Sequence, residues 1–132
     1  WGAWSLDFRP DFTAAESGLD LFINWNKEFI GKNNALKEKK EGPKIKLVTI
    51  IIETKDIDVT GDEAIMKNGK CIGYITSGGY AHHVKKSMAM GYVPSNFSEH
   101  GNKLEVEING NFYKSSVQSE PLYDPKGLKM RS

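Results

Sequence analysis

The 132-residue chain carries 18 lysines and arginines against 17 aspartates and glutamates, a net charge of +1, so it has almost no field with which to recruit nucleic acid or an anionic membrane. That length suffices for one hydrophobic core with an appendage and is too short for two full domains. The single cysteine, Cys71, excludes an internal disulfide, and the longest apolar run, Leu47 to Ile52 with Thr49 inside it, falls far short of the roughly 20 residues of a membrane-spanning helix.

In chain order, the opening "WGAW" has neither an initiator methionine nor a signal-peptide pattern, and it reads as a processed product or a fragment cut from a longer protein. Thr13 and Glu16 have capping-box spacing, in which each side chain satisfies a backbone donor at a helix start, and Gly18 limits that helix to about a turn. "GLDLFINW" places apolar residues at 19, 21, 23 and 25, a period of two that predicts a strand. "NNALKEKKE" predicts a short exposed helix capped by Asn33 or Asn34 and ended by Gly42-Pro43. Its lysines and glutamates form a solvated face.

After Pro43 the pattern is strand upon strand. "KIKLVTIIIE" is β-branched and apolar on both faces, as expected of a strand buried on two sides. Asn68-Gly69 and Asn109-Gly110 each separate alternating segments and predict hairpins with type I′ turns. Leu104, Val106 and Ile108 alternate with Glu105 and Glu107, giving one dry face and one wet face. With "MAMGYVP" as a further strand, the predicted class is mainly β: a small closed six-stranded Greek-key barrel preceded by a short α/β tail.

The residues that carry chemistry are few. His82 and His83 are adjacent, so in an extended segment they face opposite sides and do not share a metal. No metal site is predicted. Cys71 has no visible base or thiolate-stabilising neighbour and is expected to be a small buried residue. "SGGY" at 77–80 lacks the following helix that a phosphate-cradling turn requires, so Gly78 and Gly79 are expected to mark a tight bend or bulge. Lys85 and Lys86 are expected to face solvent. Composition and periodicity alone lead no further than a β-rich module.

Two segments carry a resemblance. "TSGGYAHHVKKSMAMGYVP" at 76–94, after "MKNGKCIGYITSG", and "TAAESGLDLFINWNKEFIGKNNAL" at 13–36 resemble, in order and spacing, the C-terminal region of the glycine cleavage T-protein (aminomethyltransferase) superfamily. "EPLYDPKGLKMR" extends the likeness to essentially the whole chain, and "AW", "GLDLF" and "GGYAHHVKKS" lean toward the dimethylglycine and sarcosine dehydrogenase branch. Plain T-proteins usually have Ser-Pro where this chain has His82-His83.

The resemblance implies transfer of a one-carbon unit from an amine to tetrahydrofolate, with FAD possible in an upstream domain. It divides the chain into residues 1–42, the end of a folate-binding domain, and 43–132, a β-barrel closing the folate site. The family's catalytic aspartate lies upstream, so no catalytic residue is expected here. Trp4 stands where the family has a tyrosine beside the folate pocket, with Trp1 at a nearby aromatic position, and both are folate-binding candidates. For Trp4 the competing role is core packing. Tyr80, over the cleft, and Arg131, toward the glutamate tail of folate, complete the candidate set, with a strand-end packing role and an exposed tail as their alternatives. Glu16 matches a family position but is explained by capping. Expected partners are the folate and the upstream domains of the same chain, in the cytoplasm or the mitochondrial matrix, without nucleic acid or membrane. The fragment alone is expected to be inactive. An RNA- or protein-contacting barrel without a folate role is the alternative reading.

Overall fold

Alternating β-branched residues punctuated by two Asn-Gly turns close on themselves as a barrel. The computed structural model describes residues 2 to 131, so the Trp1 candidate lies outside the described residues. Six strands, β1 (Ile45–Ile52), β2 (Ala64–Lys67), β3 (Lys70–Ala81), β4 (Lys86–Pro94), β5 (Lys103–Ile108) and β6 (Asn111–Gln118), form a closed barrel in the order β1-β4-β3-β2-β5-β6. All neighbours are antiparallel. β2, β3 and β4 run as a meander and β1 lies beside β4, so the predicted Greek key is the observed topology.

Both Asn-Gly pairs adopt the positive φ that type I′ turns demand: 51° and 73° at Asn68-Gly69, 50° and 80° at Asn109-Gly110. Every strand contributes to the interior, in clean alternation on β1 and β5. Val48, Ile50 and Ile52 of β1, Ile65 of β2, Ile75 of β3, Ala89 and Val93 of β4, Leu104, Val106 and Ile108 of β5 and Val117 of β6 are all buried. Val59, from the crossover between β1 and β2, is buried with them. At Gly78 a Cβ would stand 2.2 Å from a Val59 methyl, so the missing side chain is what admits Val59.

Several expectations are corrected. β1 is not buried on two sides: Val48, Ile50 and Ile52 point inward, while Leu47, Thr49 and Ile51 are half-covered, because a barrel has only one interior. Of the bend or bulge expected at Gly78 and Gly79, there is no bend, since both lie within β3; a bulge is present but falls just before them, between Ile75 and Ser77, and the chain turns at 82–85, with Lys85 at φ 54°. Cys71 is exposed, not buried, because it falls on the outer face of β3 beside the hairpin turn. Finally, 19–25 is not a strand. Asp20–Phe22 is a turn of 3-10 helix, held by Phe22 N–H to Leu19 O at 3.0 Å and Ile23 N–H to Asp20 O at 3.1 Å, and among the described residues no strand pairs with it to satisfy an extended backbone.

The tail also contains α1 (Lys32–Glu41), begun by Gly31 at φ 86° instead of an asparagine and ended at Gly42. The capping box forms as predicted, with Thr13 N–H to Glu16 Oε2 at 2.9 Å and Glu16 N–H to Thr13 Oγ1 at 3.2 Å. Gly18, at φ 68°, follows the single turn it opens.

Candidate functional site

The tail is fastened to the barrel through Asp7. Ala3 to Phe8 form a tight loop in which the Ala3 carbonyl accepts from Asp7 N–H at 2.9 Å and Phe8 N–H at 3.3 Å, and Ser5 takes φ 66°. The Asp7 side chain turns back into this loop and accepts the Ala3 N–H at 2.6 Å. The same carboxylate accepts hydrogen bonds from the Thr76 hydroxyl and from the Ser77 hydroxyl at 2.8 and 3.0 Å to its two oxygens. Asp7 is 1% exposed, so these donors replace the water a carboxylate loses on burial.

A second tie runs through Tyr92 on β4, which stacks on Phe12 at a centroid distance of 3.7 Å. Its hydroxyl donates to the Asp7 carbonyl at 2.8 Å. Since that carbonyl only accepts, the phenolic proton is committed there, and Ser17 donates to the Tyr92 oxygen at 2.8 Å. Burial pushes the Tyr92 phenol above its ordinary 10.0, partly offset by the Ser17 bond.

What this frame displays is Trp4. The indole is 82% exposed on a residue that bridges Phe8 at the base of the anchored loop, outside the core that this chain builds for itself. Leu6, two residues on, and Leu21, Phe22 and Ile30 further along the tail are also exposed.

The other candidates lie on separate segments. Tyr80, near the end of β3, is half-exposed with His82 edge-on at 4.9 Å. His83 meets Tyr123 edge-on at 4.2 Å. These four line a groove of about 810 Å³ with Met88, Met90 and Leu122. Each histidine therefore has its own aromatic partner, and the two sit in a turn rather than the extended segment expected. Lys85 and Lys86 at that turn are exposed, as expected.

Arg131 is exposed in the C-terminal segment. That segment is organised by Asp124, whose carboxylate accepts the Leu128 and Lys129 N–H groups at 2.9 Å each. Sequence reasoning missed Asp7, Thr76, Ser77 and Tyr92. Thr76 and Ser77 stood inside a recognised motif without a task, and nothing local pairs them with an acid 69 and 70 residues earlier.

Residues 46–124 match the family model described as glycine cleavage T-protein C-terminal barrel domain. Dimethylglycine dehydrogenase, mitochondrial, from Homo sapiens is 41% identical over 122 residues, which is 91% of this chain and 14% of that protein. A probable aminomethyltransferase from Pyrococcus horikoshii is 34% identical over 116 residues, 88% of this chain and 29% of that one. The crystal structure of glycine cleavage system aminomethyltransferase T from Bartonella henselae superposes with a TM-score of 0.80 at 28% identity, covering 91% of this chain and 34% of that one. The chain thus spans between about a seventh and a third of the length of these relatives.

Proposed function

The chain belongs to the glycine cleavage T-protein C-terminal barrel family, and from that premise we propose that it is the barrel-bearing end of a tetrahydrofolate-dependent aminomethyltransferase, closing one side of the folate site. Residues 1–42 end the folate-binding domain and 43–132 form the barrel. The observation that carries this reading is Trp4, an 82% exposed indole on a loop pinned to the barrel by a buried carboxylate. An exposed flat ring on a fixed backbone suits stacking against a pterin or aminobenzoyl ring.

In this reading the one-carbon acceptor is the folate, and this chain binds and encloses it rather than transferring protons. Trp4 stacks, Tyr80 looks over the cleft, and Arg131 reaches the glutamate carboxylates with its planar fork of donors. The exposed Leu6, Leu21 and Phe22 meet the remainder of the folate-binding domain. The 41% identity to a dimethylglycine dehydrogenase against 34% to an aminomethyltransferase supports the flavin-linked branch, in which an N-methyl amine supplies the carbon. This chain carries no Gly-x-Gly-x-x-Gly segment, and in that branch the FAD would be held by an upstream domain. A matrix or cytoplasmic setting fits both sets of relatives. The near balance of 18 basic and 17 acidic residues gives no support to an RNA-contacting barrel.

The test uses the full-length protein that contains this chain. Trp4→Ala should raise KM for tetrahydrofolate about tenfold, the size expected for a lost aromatic contact, and an unchanged KM would sink the role of Trp4. The 132-residue chain by itself should give no saturable heat with tetrahydrofolate in calorimetry; tight binding there would overturn its reading as an incomplete site.

A further inference from the structure

Thr76 and Ser77 are neighbours in β3, and in a regular strand neighbouring side chains face opposite sides of the sheet. Here both hydroxyls reach the same carboxylate. The register explains it: Ile75 pairs with Gly91 and Ser77 with Met90, so Thr76 is the extra residue of a β-bulge, and a bulge re-aims side chains that the pleat would separate. The bulge is therefore a two-hydroxyl receptor, and Asp7 fills it.

The ends of the loop that carries Trp4 are both referred to this seat. Ala3, before the indole, donates its N–H to the Asp7 carboxylate and accepts the Asp7 N–H; Phe8, after it, bonds to Ala3 and to Ser5. The indole itself, largely exposed, gains little hold from packing, so its direction is inherited from the backbone that Asp7 fixes.

We propose that Asp7 is a positioning residue: seated on the Thr76–Ser77 bulge, it sets where Trp4 meets the folate. The inference rests on the folate-stacking role of Trp4. It assigns to the Thr-Ser pair the task of holding an aromatic contact that belongs to the other domain of the site, and to the bulge the task of making two adjacent hydroxyls converge.

In the full-length protein, Asp7→Ala and the double variant Thr76→Val/Ser77→Ala should each raise KM for tetrahydrofolate about tenfold with kcat within about threefold, matching the loss of the stacking contact. The barrel-side variant leaves the loop sequence intact and guards against a misfolded Asp7→Ala. Asp7→Asn keeps the shape and lets the hydroxyls turn to accept, so it should recover most of the loss. Placed in a Trp4→Ala background, Asp7→Ala should add nothing further, whereas a merely structural residue would add its full effect. Amide exchange of Ser5 to Phe8 should accelerate in Asp7→Ala and in the barrel-side variant alike. If Trp4→Ala leaves KM unchanged, the folate reading fails and takes this inference with it. If Trp4→Ala raises KM while Asp7→Ala does not, or if the two effects add, the positioning role alone is overturned.

Discussion

Removing one oxygen from Tyr92 tests the frame that joins tail to barrel. Tyr92→Phe keeps the ring, and with it the stack on Phe12 at 3.7 Å, so the loss is confined to the hydroxyl. That hydroxyl serves two buried partners: the Asp7 carbonyl, to which it donates, and Ser17, from which it accepts, each at 2.8 Å. Asp7 is 1% and Ser17 8% exposed, so water does not readily replace what is lost. Stranding a buried polar group costs about 1–3 kcal/mol; with the carbonyl stranded and the Ser17 hydroxyl free to turn, the expected loss is about 1–3 kcal/mol.

The same variant carries a pH signature. Because burial raises the folded phenol above 10.0, both folded and unfolded chains keep the proton below that value and the contribution of Tyr92 is fully present. As pH climbs past 10 the unfolded phenol ionises first, the unfolded state binds fewer protons, and stability falls by up to about 1.4 kcal/mol per pH unit until the folded phenol also titrates. Phenylalanine lacks this loss, so the gap between the two proteins should narrow between pH 9 and 11, with all other titrations cancelling in the difference. Urea denaturation of the 132-residue chain and its variant at several pH values measures both effects. A difference under about 0.5 kcal/mol at pH 8 would refute the hydrogen-bond assignment, and a gap that stays constant through pH 11 would refute the burial-raised phenol.

Gly73→Ala would place a Cβ 1.9 Å from the Tyr92 carbonyl oxygen, so β3 and β4 must part; a loss of more than about 3 kcal/mol in the same denaturation assay is expected, and a near-neutral result would disprove the close approach. Gly110→Ala, at φ 80° in the β5–β6 turn, should cost about 1–2 kcal/mol without altering the denaturant slope. Ser115→Ala should instead be neutral or stabilising by up to about 1 kcal/mol, since its buried hydroxyl has no hydrogen-bond partner among the described residues; destabilisation would mean that the hydroxyl is satisfied.

Local chemistry was legible in the sequence and long-range polar pairing was not. The Asn-Gly turns and the Leu104–Val106–Ile108 alternation depend on residues within a few positions of one another, and both are realised. "GLDLFINW" has the same period of two, yet a strand is completed only by a neighbour, and here Leu21 and Phe22 are exposed on a turn of 3-10 helix. Of the candidate site, Trp4 came from an aromatic family position and Tyr80 from its expected place over the cleft. Asp7 gave no signal, because the pair that needs it lies in another segment and converges only through a bulge at Thr76, whose exact position the neighbouring glycines do not give.

The Greek-key order also governs how the barrel is assembled. Ile50 of β1 pairs with Ala89 on one side and Val117 on the other, so the first strand made is the last to be enclosed. A chain emerging from synthesis holds the apolar Leu47–Ile52 run with both edges open until β4 and then β6 have followed, and such late, sequence-distant pairings are slow to form. Lys44, Lys46 and Glu53, all exposed, flank that run with charges that discourage pairing with another chain while it waits.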